Sequence, residues 1–429
     1  MLTVIKDGYI LDPASGKEDF YDILIEDDRI KKVEKNINIK VDKTINAKDM
    51  YVMPGFVDLH VHLREPGYEY KETIATGSRA AAAGGYTSIC PMPNTNPVID
   101  NKKAIEKFNK KVEEDSLVNV LPIGSITLDQ KGEDLADIHG MADSGVIGIS
   151  EDGKSVMNAA IYRKAMRQAR DAGLIVFAHC EDIDLVEGGV INQGDKAKKL
   201  GLPGISNSVE DVIAARDIIL AKETGVKLHL CHCSTKDSVL LTKLAKSQGI
   251  QVTAEVCPHH FVLTDEDIPG DNSNYKMNPP LRAKEDVEML IDGLKDGTID
   301  VIATDHAPHS LEEKSKSFTQ APFGIVGSET AFALTMTYLV KPGHLTPMDM
   351  VCKMSYNPAR ILGIDKGSLE VGKIADIVIA NPNDKYVIDV ENFYSKGKNS
   401  PFDGEEVVGK VKTTIVAGKV VYENEEFVN

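Results

Sequence analysis

GFVDLHVH, residues 55–62, is an apolar, β-branched run that ends in two histidines. A run of this kind, bounded by turn-forming residues, predicts a buried strand. Seven comparable runs follow: YTSICPMP (86–93), VNVLPIGS (118–125), VIGISED (146–152), LIVFAHC (174–180), VKLHLCHC (226–233), IQVTAEVCP (250–258) and IDVIATDH (299–306). Longer amphipathic stretches separate them, such as KETIATGSRAAAAGG (71–85) and SVEDVIAARDIILAKETG (208–225). The second opens on Ser208, a cap-like residue, and stops at Gly225. Strand and helix alternating eight times predicts an α/β fold, a (β/α)8 TIM barrel of parallel strands.

The two ends read differently. TVIKDGYIL (3–11), YDILIEDDRIKKVEK (21–35), IADIVIANP (374–382) and KTTIVAGKVVYENE (412–425) are short β-like runs broken by turn signals. Neither end is long enough for a good core, and each alone would leave an unpaired sheet edge. Residues 1–52 and 365–429 are therefore expected to combine into one small β-sandwich domain. Residues 53–364 are expected to form the catalytic barrel.

The 429 residues include 66 acidic and 49 basic side chains, a formal charge of −17. A field of that sign repels phosphate backbones and anionic membrane surfaces, which argues against nucleic-acid and membrane partners. Apolar residues make up 42%, enough for a large core. No stretch reaches the ~20 apolar residues of a membrane span. The opening MLTVIKDGYILDPASGK lacks the pattern of an export signal. The 6 cysteines, mostly scattered in apolar runs, read as free thiols, so a cytoplasmic protein is expected.

Barrel active sites lie at the C-terminal ends of the strands. Those ends supply His60 and His62 (first run), Asp152 (fourth), His179 (fifth), His232 (sixth) and Asp305 (eighth). Residues i and i+2 of a strand share a face, so His60 and His62 aim at one point. Each residue alone is ordinary at a strand end. Together they bring N and O donors to one face, where unpaired buried carboxylates would be strongly destabilising without a cation. Four imidazoles and two carboxylates suit Zn2+ better than magnesium or calcium. Such a set can hold two metals ~3.5–4 Å apart, with Asp152 as the bridge. Metal-bound water has a pKa of ~7, giving hydroxide as nucleophile at neutral pH. Asp305 would take that proton and pass it to the leaving nitrogen.

The other histidines invite plainer readings. His139, His229, His259, His260 and His344 are expected at the surface or in supporting roles. By strand parity Cys231 and Cys233 should face the helices as buried thiols. His309, in the loop after Asp305, is a candidate for substrate contact.

With GFVDLHVHLREPGYEYKET (55–73), the motifs PMPNT (91–95), GISEDG (148–153), AHCED (178–182), HLCHCST (229–235), CPHHF (257–261), KMNPPLR (276–282), ATDHAPH (303–309) and PFGIVGSET (322–330) resemble the class-one dihydroorotases of the amidohydrolase superfamily. VGKIADIVI (371–379) and TIVAGKVVY (414–422) resemble the superfamily's C-terminal strands. The resemblance spans nearly the whole chain. It implies reversible cyclisation of N-carbamoyl-L-aspartate to (S)-dihydroorotate and water, the third step of pyrimidine biosynthesis. It also implies one zinc on His60, His62 and Asp305, another on His179 and His232, Asp152 bridging, and Asp305 as acid/base. The matching substrate contacts are His62, Arg64, Asn94, Asn278, His309 and the Phe323–Gly324 backbone. A guanidinium at Arg64 would bind the substrate carboxylate bidentately; the plain alternative is an ion pair with Glu65 or Glu69. Asn94 and Asn278 could equally be turn residues. The family resemblance allows a homodimer and association with aspartate carbamoyltransferase, though no residue specifies either, and one or two zincs fit the six positions.

Two other readings compete. An allantoinase or hydantoinase would share barrel and metals, but those relatives more often lack the arginine and bridge their metals with a carboxylated lysine. Here the bridging position is Asp152, and Lys154, just past Gly153, is expected to be unmodified. A non-catalytic scaffold would usually have lost metal ligands, and all six positions are kept. The long polar loops 183–207 and 310–327 are both candidates for a lid.

Overall fold

A closed ring of parallel strands organises the chain, seen in a computed structural model that describes residues 1–428. Its strands are Phe56–Val61, Tyr86–Pro91, Asn119–Val120 continuing into Ile123–Ser125, Gly148–Ser150, Ile175–Ala178, Lys227–Leu230, Val252–Val256 and Val301–Ile302. They coincide with the eight apolar runs. Neighbours pair in parallel, as Gly148–Ser150 does with Ile123–Ser125 on one side and Ile175–Phe177 on the other. The ring closes through a parallel bridge between Val61 and His306. The third strand breaks before Ile123 because Pro122 has no N–H for the ladder. Ile175, Phe177, Val301 and Ala303 share parity with His179 and Asp305 and pack in one apolar cluster.

Helices cover the outside, including Ile74–Ala83, Lys102–Asp115, Ala159–Asp171, Ser208–Thr224, Lys236–Ser247 and Lys284–Asp296. Thr73 caps the first with a reciprocal capping box to Thr76. The helix from Ser208 stops at Gly225, whose φ of 72° suits glycine. Its start corrects the sequence reading: Asn207, not Ser208, holds the cap position. The Ser208 hydroxyl pairs with Ser206 at 2.7 Å, and the Asn207 amide donates to Asp286 at 3.0 Å.

The chain ends form a separate sheet of nine strands. Tyr51–Pro54 from the N-terminal part runs antiparallel to Ile377–Ala380 from the C-terminal part. Ile10, Ile23, Val52, Ile377, Ile379 and Ile415 pack together across that seam. Among the described residues, no helix is long and apolar enough to cross a membrane.

Candidate active site

Asp152 sits where the strand ends converge. Its Oδ1 lies 3.2 Å from His60 Nε2, 3.7 Å from His179 Nδ1 and 3.8 Å from His232 Nε2, and its Oδ2 lies 3.5 Å from His62 Nε2. Asp305 Oδ1 approaches His62 Nε2 at 3.1 Å and His60 Nε2 at 3.5 Å. The rings of His179 and His232 meet nitrogen to nitrogen at 2.9 Å. All six side chains named from the sequence are buried and face one centre. Burial opposes charge on Asp152 and Asp305, yet the imidazoles, His60 foremost, hold both carboxyls well below their ordinary range.

The donor set fits a cation. His60 Nε2, Asp152 Oδ1 and His232 Nδ1 are buried and have no hydrogen-bond partner among the described residues. Buried polar atoms are rarely left so. His60, His62 and Asp305 offer ligand atoms mutually within 4.8 Å, and so do His60, Asp152 and His232.

A second ring of side chains fixes these histidines. Glu255 accepts from His60 Nδ1 at 2.9 Å and from His229 Nε2 at 3.0 Å, and also takes the His232 backbone N–H at 3.2 Å. Burial would raise Glu255, but His229 and His60 hold it at about 2. Glu181 lies 3.0 Å from His179 Nε2, and its other oxygen accepts from Asn278 at 2.9 Å. Asn94 Oδ1 accepts from His62 Nδ1 at 2.9 Å. Each contact turns the other ring nitrogen toward the centre. Sequence reasoning did not single out Glu255 or Glu181; their one signal is an acidic residue inside or just past an apolar run. His229 is buried and supports Glu255, whereas His139 and His344 are exposed.

Cys231 requires a correction. It does not face the helices with Cys233, Leu228 and Leu230, but packs inward against Phe177 and Val301. The strand ends at Leu230, and His232 has a φ of 33°, so alternation fails there. That twist swings His232 inward although Cys231 is inward too.

A cavity of about 220 Å³ opens above the centre. Its lining includes His62, Arg64, Asn94, Asp152, His179, His232, Asn278, Asp305, His309, Phe323 and Gly324. His60 lies beneath it, fully buried. Arg64 Nε donates to the Pro308 carbonyl at 3.1 Å, and Arg64 takes part in no ion pair among the described residues. Glu65 instead accepts from the Ile74 N–H, and Glu69 from the Gly67 N–H. His309 Nε2 donates to the Phe323 carbonyl at 2.8 Å, while its Nδ1 accepts from Lys71 at 3.2 Å. Burial, reinforced by Arg64 and Lys71, pushes His309 well down, so it is neutral. Arg64, His232 and Asp305 all adopt positive φ, at 62°, 33° and 46°. Non-glycine strain of this kind concentrates at functional sites. Lys154 donates to the Gln130 carbonyl at 3.0 Å and does not line the cavity.

Comparison with known proteins adds independent findings. A family model described as Dihydro-orotase-like matches residues 50–238, and one described as Amidohydrolase family matches residues 295–422. Curated relatives named dihydroorotase include one from Acetivibrio thermocellus, 49% identical over 97% of this chain and 98% of that protein. Another, from Caldanaerobacter subterraneus, is 48% identical over 100% of this chain and 99% of its own. Among solved structures, an L-hydantoinase from Arthrobacter aurescens superposes with a TM-score of 0.88 at 26% identity, over 100% of this chain and 97% of that one.

Proposed function

Because the chain belongs to the dihydroorotase family of amidohydrolases, we propose that it interconverts N-carbamoyl-L-aspartate and (S)-dihydroorotate with release or uptake of water. The observation that carries this reading is Arg64, a half-buried guanidinium with no ion-pair partner among the described residues, lining the cavity beside the six converging side chains. Hydantoin and dihydropyrimidine rings carry no carboxylate to meet such a group. Dihydroorotate carries one next to its ring amide. A bidentate guanidinium–carboxylate pair supplies both energy and orientation.

His60, His62, Asp152, His179, His232 and Asp305 would hold the cation or cations, with Zn2+ the best match for imidazole and carboxylate donors. When bound, such a cation polarises the amide carbonyl and acidifies the attacking water. Arg64 clamps the carboxylate and so fixes which face of the ring meets Asp305. Asn94 and Asn278 present amides toward the ring's C=O and N–H groups. His309 holds the Phe323 carbonyl and thereby sets the Phe323–Gly324 backbone against the substrate. Asp305 accepts the proton from water in ring opening and delivers it to the leaving nitrogen. In cyclisation it works in reverse.

The test is a substrate panel. Dihydroorotate ring opening should exceed turnover of hydantoin, dihydrouracil and allantoin by orders of magnitude. It should vanish on chelation and return with zinc. Faster turnover of hydantoin or allantoin would overturn the assignment.

A further inference from the structure

The seventh barrel strand ends at Val256 and passes directly into a short helix, Pro258–Val262. Cys257, His259 and His260 at this junction are 0%, 2% and 1% exposed. One ligand atom from each lies within 4.8 Å of the other two. His259 Nε2 and His260 Nδ1 are buried without any hydrogen-bond partner among the described residues. Two such orphans side by side need a reason, since buried polar atoms are nearly always satisfied. His260 supplies a further clue. Its Nε2 donates to the Pro279 carbonyl at 2.9 Å, which leaves Nδ1 as a bare lone pair. A metal-ligating imidazole is held in just this way by a backbone carbonyl on its far nitrogen. The His260 N–H also bonds to the Cys257 carbonyl at 2.9 Å, closing the turn that gathers the three donors.

We propose that Cys257, His259 and His260 form a second cation site, separate from the six-residue centre, for one borderline-soft divalent ion of the zinc, cobalt or cadmium class. One sulfur and two imidazole nitrogens suit those ions and reject calcium and magnesium, which require oxygen. Binding exchanges the Cys257 S–H for a sulfur–metal bond and releases that proton to water; the imidazoles bind neutral. The ion ties Cys257, just past the end of the seventh strand and two residues after Glu255, to the first turn of the helix that follows, and so steadies the His260 ring that holds the Pro279 carbonyl next to Asn278. Its role is to stiffen this corner. With all three donors buried, uptake is slow.

Cobalt reconstitution of the metal-stripped full-length protein tests the proposal without reading turnover, so its outcome is independent of the assigned reaction. Beyond the cobalt taken by the six-residue centre, which offers no sulfur, one further equivalent should bind and produce the near-ultraviolet sulfur-to-cobalt charge-transfer band. Cys257→Ala should abolish the band and weaken the extra binding by more than the ~10–100-fold that loss of an outer partner costs. Cys231→Ala, which removes the thiol nearest His60, should keep the band. His260→Gln leaves the thiol in place and should shift or weaken it. The proposal fails if the wild-type enzyme shows no thiolate band, or if the band survives Cys257→Ala.

Discussion

Arg64 and Asp305 do different work, and substitutions should separate them. Arg64 has a φ of 62°, which any non-glycine replacement must share, so the variants differ chiefly in the lost guanidinium. A hydrogen bond to a charged group contributes about 1.5–3 kcal/mol. Arg64→Met should therefore raise KM for both dihydroorotate and carbamoyl aspartate by roughly 10–150-fold, with a smaller effect on kcat. Arg64→Lys should recover little, because an ammonium cannot make the fork; a near-normal KM in that variant would remove the bidentate role. Asp305→Asn keeps the shape and removes the proposed proton acceptor. Its kcat should fall by roughly 10²–10⁴-fold, measured alongside bound metal so that ligand loss is told apart from proton transfer. Asp305 was legible in sequence because it lies near the end of an apolar run at the barrel mouth, whereas Arg64, two residues past His62 and beyond the end of its strand, was reached through the family resemblance. Glu255 and Glu181 were not legible, because their value lies in contacts to His60 and His179 that no local pattern encodes. Cys231 was misread for a related reason: parity holds only while the strand lasts, and it ends at Leu230.

At the scale of elements, the loop 310–327 is tied down by two buried lysines. Lys314 donates to the carbonyls of Lys276, Pro322 and Gly324, at 3.3, 3.2 and 2.9 Å. Lys276 donates to Thr319 and Ala321, at 3.3 and 2.6 Å. Burial lowers Lys314 to about 7 and Lys276 to about 8. The staple thus fixes the backbone that places Phe323 and Gly324 in the cavity. Lys314→Met leaves three carbonyls without that donor, each net hydrogen bond being worth about 1 kcal/mol. KM should rise about tenfold or more while kcat changes less. Steady-state kinetics on the folded variant decide this, and an unchanged KM would show that the loop holds its shape unaided. Gly324 gives a sharper version. Its φ is 129°, and an added Cβ would lie 2.8 Å from the Ala307 Cβ and 3.1 Å from His309 Nε2. Gly324→Ala should damage binding more than Lys314→Met does. The eight strands were readable because burial on both faces makes each one continuously apolar. The lysine staple was not, since a lysine in a polar loop looks solvated until the fold closes over it.

At the scale of the whole molecule, the six ligand candidates come from five strands and span His60 to Asp305. A cation gripping them joins segments far apart in the chain and binds only when the ring is closed. At a free concentration 1,000 times its Kd, such an ion stabilises the fold by about 4.1 kcal/mol. For a chain of this size, chelation should lower the unfolding temperature by roughly 4–8 °C. The nine-stranded sheet of the chain ends is built differently. Its seam, Tyr51–Pro54 against Ile377–Ala380, rests on ladder bonds and on an apolar cluster that contains none of those ligands. That the ends would meet was readable from two sets of short β-like runs with unpaired edges. Which strands form the seam was not, because alternation identifies the buried face of a strand and says nothing of its neighbour. Amide exchange distinguishes the two halves of the argument. After chelation, protection should fall at the strand ends around Gly148–Ser150 and Ile175–Ala178, where the ligands are anchored. Protection at the seam should persist. Equal loss at both places would mean that barrel and sheet open as one cooperative unit, and the cation would then be holding the whole chain together, not the ring alone.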